Sequence, residues 1–155
     1  MPLKIDATLT HLDAQLQLLT AHWGQFSEAE LQQRYGPGRW SRKEILGHLI
    51  DSAANNHARF VQVQLAAPQP LPLRPYDQEA WVRLADYQHL PAAELLTLWT
   101  SYNRLIIHLL GQIPAPLLAA ECLTLNHNPV TLQWLAADYV LHLEHHVQQI
   151  IRAEF

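Results

Sequence analysis

Apolar residues return every three to four positions along four long stretches of the chain, a period that predicts amphipathic helices rather than strands. The first covers about residues 4–24, with Ile5, Leu9, Leu12, Leu16, Leu19 and Trp23 on one stripe. The second opens at Ser41 and runs to about Leu65. Glu44, three residues after Ser41, completes a capping box in which hydroxyl and carboxylate satisfy orphan amides. The third starts at Pro91, tolerated in a first turn because its missing N–H would have no partner there. It carries Leu95, Trp99, Tyr102, Ile106, Leu109 and Leu110 to near Ile113. The fourth is expected to begin at Asn128-Pro129, a cap followed by proline at the first helical position, and to continue almost to the end.

No stretch alternates with period two between turn signals, so no strand is expected and the fold class reads as all-α, a four-helix bundle. Proline and glycine mark the connections: Tyr35-Gly-Pro-Gly-Arg39, the run from Ala67 to Pro75, and Pro114-Ala-Pro116 onward. A short helical piece is expected from Gln78 to Leu84. Connections longer than about 12 residues are uncommon and often functional, so 66–78 and 114–128 are expected to rim a pocket. No internal repeat is visible.

Length and composition add bounds. With 155 residues, 49% of them apolar, the chain suits one domain spanning 1–155. A net charge of −4 with scattered Lys and Arg leaves no basic stripe, which argues against a nucleic-acid partner. The opening Met-Pro-Leu-Lys-Ile-Asp leads into no long apolar run, so neither a leader nor a membrane span is expected, and the cytoplasm is the expected location. The single cysteine, Cys122, cannot form an intrachain disulfide. It is expected in a loop, as a bystander rather than a nucleophile.

The candidate chemistry lies in the histidines. His142, His145 and His146 crowd the last helix, and His48 sits in the second. At about 100° per residue, His146 is turned roughly 40° from His142 toward the apolar stripe of Leu132, Ala136, Leu143, Val147 and Ile150. His145 is turned about 60° the other way and is expected at the surface. On the second helix His48 lies at the margin of the apolar side (Ile45, Leu49, Ala53, Phe60) and shares a polar stripe with Asp51, Ser52, Asn55 and Arg59. Such a helix can wall a core and a polar cavity together, as metal sites in bundles require. Two imidazoles from one helix and one from another would grip a divalent cation and leave a position open. Neutral imidazole ligands also imply that metal occupancy falls on acidification through the histidine range. Asp51, one turn from His48, is the candidate base or orienting carboxylate, although a surface aspartate fits equally well. Neither His-Glu-x-x-His nor Glu-x-x-His occurs, nor a glycine-rich phosphate loop nor a Gly-x-Ser-x-Gly elbow, which leaves a mononuclear site.

Three stretches resemble the DinB/YfiT-like superfamily of four-helix-bundle metalloproteins: Arg39 to Ser52 with Asn56 and Arg59-Phe60, Arg74 to Trp81, and His142-Leu-Glu-His-His146 with Gln149-Ile150. The resemblance implies one divalent metal, nickel or zinc with manganese or iron as further options, on His48, His142 and His146. It also implies a homodimer, and an enzyme acting on a small molecule, either a metal-dependent hydrolase or a thiol S-transferase using bacillithiol or a related low-molecular-weight thiol. A non-catalytic bundle that binds metal or a small ligand is the reading from another class. Haem ligation by histidines of two helices is a weaker one.

Overall fold

The computed structural model describes residues 5–153. Six α-helices and three very short strands are present among them: α1 (Ile5–Trp23), α2 (Glu28–Gln32), α3 (Arg42–Ala66), β1 (Leu71–Pro72), α4 (Gln78–Ala85), α5 (Ala92–Gly111), β2 (Glu121–Leu123), β3 (Pro129–Thr131) and α6 (Leu132–Arg152). The four long helices are those the apolar period predicts. The expected start of the first, at residue 4, lies outside the described residues.

α3 begins where its capping box places it. Ser41 Oγ accepts from the Glu44 amide at 3.2 Å, and the Glu44 carboxylate accepts from the Ser41 amide at 2.9 Å. The fourth helix differs from expectation. Pro129 belongs to β3, Thr131 caps α6 by accepting from the Trp134 amide, and Asn128 closes the turn between β2 and β3 by pairing with Thr124. Proline fits an edge strand, which needs no N–H from it, as well as it fits a first helical turn.

The strands form one sheet in the order β1-β2-β3, with β1 parallel and β3 antiparallel to β2. Leu71 pairs with Cys122, and Cys122 with Val130. This clasp ties the α3–α4 connection to the α5–α6 connection, so the two long loops meet at one end of the bundle. Cys122, expected in a loop, is buried in β2, and desolvation pushes its thiol up.

Helix contacts run α1 to α5, α5 to α3, α3 to α6 and α6 to α1, so α1 stands diagonal to α3 and α5 to α6. The shared core takes Leu12, Leu16 and Leu19 from α1, Leu49 and Phe60 from α3, Trp99 and Ile106 from α5, and Leu143 and Val147 from α6. Among the described residues, no helix is long and apolar enough to cross a membrane.

Candidate metal centre

His48 is carried on α3 at 1% exposure, and half-buried His142 and His146 are carried one turn apart on α6. Because α3 packs directly on α6, their rings meet. His142 Nε2 lies 3.3 Å from His48 Nε2 and 3.2 Å from His146 Nε2. No other group of three or more His, Cys, Asp or Glu side chains among the described residues is arranged to hold a metal. His145 is exposed and remains outside the cluster, its ring centroid 5.2 Å from that of His146.

A hydrogen bond decides which nitrogen of His146 faces the centre. Gln149 Oε1 accepts from His146 Nδ1 at 2.7 Å, so the proton of the neutral ring sits there and the Nε2 lone pair turns inward. The ring of Trp40 covers His48 at 5.0 Å between centroids. Burial holds the His48 pKa down to about 3, with the charges of His146 and His142 acting in the same direction. Burial likewise takes His146 to about 4 and lowers His142. All three are therefore neutral at pH 7, as metal ligation requires. At His48 and His146 protons compete only well below the ordinary histidine range, which moves the expected acid release of metal to lower pH.

The donor set fits a divalent cation. Inward lone pairs at these separations repel unless they share a proton or a cation. Zinc–nitrogen bonds of about 2.0–2.1 Å set tetrahedral edges of about 3.3–3.4 Å, close to two of the three nitrogen separations, and all three ligand atoms lie within 4.8 Å of one another.

Asp51 is buried one helical turn after His48, but its partner is not the expected one. Tyr87 donates to Asp51 Oδ1 at 2.5 Å, while Asp51 Oδ2 and His48 Nδ1 each lack a hydrogen-bond partner. The bond from His48 to Asp51 suggested by their spacing is not formed. Desolvation raises the Asp51 pKa, and the Tyr87 hydroxyl opposes that rise. Gly47 permits the arrangement, since a Cβ there would fall 2.0 Å from Tyr87 Cδ2.

A cleft of about 620 Å³ opens beside His142. Ser52, Asn56 and Arg59 form its α3 wall, and Trp134, Asp138 and Tyr139 form much of its α6 wall. Leu73, Tyr76, Thr124 and Leu125 close it from the two long connections, as their length led one to expect. Asn56 takes the place on this wall that the polar stripe assigned to Asn55. Trp134 and Asp138 belong to no motif, although steps of four residues through 134, 138 and 142 place them on the face of α6 that carries His142. The Tyr76 phenol is pushed up to about 12, by burial first and the Asp51 charge second.

Comparison with known proteins agrees with this architecture. A protein of Bacillus pumilus (strain SAFR-032) named "Putative metal-dependent hydrolase" is 26% identical over 148 residues, 95% of this chain and 83% of that protein. A Bacillus cereus (strain AH820) protein with the same description is 27% identical over 149 residues, covering 94% of this chain and 83% of its own length. Among solved structures, YfiT from Bacillus subtilis, described as a probable metal-dependent hydrolase with an unusual four-helix bundle topology, superposes with a TM-score of 0.80 at 22% identity over 96% of this chain and 84% of that one. A mycothiol-dependent maleylpyruvate isomerase superposes with a TM-score of 0.69 at 16% identity, over 92% of this chain and 60% of that one. The family model for the DinB superfamily matches residues 11–150, and the chain accordingly belongs to the DinB superfamily.

Proposed function

We propose that this protein is a metal-dependent enzyme acting on a small molecule, with His48, His142 and His146 as the ligands of one divalent cation, zinc or nickel. The observation that carries the reading is the convergence of three neutral Nε2 atoms beside an open cleft. When bound, such a cation acts as a Lewis acid and lowers the pKa of water or a thiol toward neutrality. The chain supplies the rest. Gln149 holds the His146 tautomer, Trp40 keeps solvent from His48, and the cleft orients a substrate against the exposed edge of the cluster. Asp51, with one oxygen held by Tyr87 and not bonded to His48, is proposed as a buried carboxylate whose charge favours a cation at the cluster. Asp51→Asn should then weaken metal affinity; unchanged affinity would remove Asp51 from this role.

Hydrolysis is the reading that the relatives' names favour. The second reading is transfer of a low-molecular-weight thiol, in keeping with the mycothiol dependence printed for one structural neighbour. Buried Cys122, its thiol pushed up, does not supply that nucleophile, so the thiol would come from outside the chain. Elemental analysis of the purified protein should find about one divalent metal per chain, lost in His48→Ala. Screens with esters, and with a thiol plus an electrophile, then separate the two chemistries. Activity that survives His48→Ala at full metal saturation overturns both.

A further inference from the structure

The cleft holds a cation that the metal reading does not use. Arg59 lies three turns of α3 beyond His48, roughly 16 Å along the axis at the helical rise per residue. Its half-buried side chain extends the wall begun by Ser52 and Asn56. The guanidinium donates from Nη2 to the Arg74 carbonyl at 2.8 Å and from Nη1 to Asn56 Oδ1 at 3.4 Å. Both acceptors are neutral, and a guanidinium has donors to spare beyond them. The ion pairs of the described residues are His11–Glu144, Arg34–Glu44, Lys43–Glu28 and His89–Asp86, none of which involves Arg59. Asp138 lines the same cleft from α6, but forms no ion pair with Arg59 and does not neutralise it.

A cation anchored through its backbone contact, unpaired with any carboxylate of the described residues and lining a cleft, is placed to receive an anion from outside the chain. The lining is more apolar than polar, with Tyr76, Leu73, Leu125 and Trp134 beside the polar side chains of Ser52 and Asn56. We infer that the cleft takes a small molecule whose reacting end meets the histidine cluster and whose far end carries a carboxylate bound by Arg59, with an apolar linker between them. This inference rests on the metal reading and names the substrate class of that site. Asp138 adds a restriction, since a second anionic group on the α6 side of the ligand would be repelled.

Zinc-loaded protein titrated calorimetrically with alkyl hydroxamates tests the assignment, because hydroxamates chelate zinc whichever reaction the enzyme performs. Each linker length is compared as a terminal carboxylate and as its matched carboxamide. At the best length the carboxylate should bind about tenfold tighter. Arg59→Gln should bring that ratio close to one without weakening the amide, and Arg59→Lys should retain part of it. Equal binding of acid and amide at every length, or a preference that survives Arg59→Gln, overturns the inference and leaves the metal reading intact. Failure of all hydroxamates to bind, with no zinc retained on elemental analysis, overturns the metal reading and the carboxylate assignment with it.

Discussion

Gly47 shows how closely the support behind the histidines is packed. With no Cβ, it lets the Tyr87 ring lie against α3 and bring its hydroxyl to Asp51. Gly47→Ala would force ring and helix apart, and should destabilise the fold by about 1–3 kcal/mol despite alanine's better helix propensity. Thermal denaturation checks this; a Tm at or above that of the parent would show that the ring shifts without penalty. Much of the cluster was legible at this scale, because His142 and His146 are one turn apart and His48 lies beside an apolar stripe. The partner of Asp51 was not. Tyr87 is 36 residues away in sequence, and no local pattern connects the two.

Helix ends were legible where capping chemistry was specific and misread where it was ambiguous. Ser41 is fully buried, caps α3 and donates to Gln88 Oε1 at 2.7 Å. Ser41→Ala should cost about 1–2 kcal/mol, from the lost cap and the unpaired buried amide, measured as a lower urea midpoint with an unchanged slope. A loss below about 0.3 kcal/mol would mean that Glu44 alone sustains the helix start. The same Ser-x-x-Glu signature at Ser27 and Glu30 opens α2, with both reciprocal bonds formed. That helix was missed because Glu28–Gln32 is too short to show an apolar period. Asn128-Pro129 was misread for the opposite reason, since cap-plus-proline and turn-plus-edge-strand share the same residues. The strands have at most three residues each, too few for alternation to register.

Burying three imidazoles makes the stability of the metal-free protein depend on pH. An unfolded histidine takes up a proton near pH 6.5, whereas folded His48 does so at about 3 and folded His146 at about 4. Between those values the unfolded chain binds more protons, so stability falls as the solution is acidified below about pH 6.5 and is retained above it. Chemical denaturation at about pH 7.5 and about pH 5 should show the loss, and His48→Gln should make it smaller. A profile equally steep in that variant would place its source elsewhere. Added zinc should raise Tm, because a ligand bound only by the folded state stabilises it, and His146→Ala should abolish the rise.

What the chain determines by itself is whatever depends on neighbours a few positions away: four helical periods, two capping boxes, and a histidine pair one turn apart on α6. The helical repeat converts such spacings directly into faces. The tertiary structure decided which faces meet. The diagonal placement of α1 and α3, the clasp joining two distant loops, the Tyr87 bond to Asp51 and the unpaired Arg59 in the cleft all depend on segments far apart in sequence. Their energies come from packing and desolvation, which no local window of residues contains.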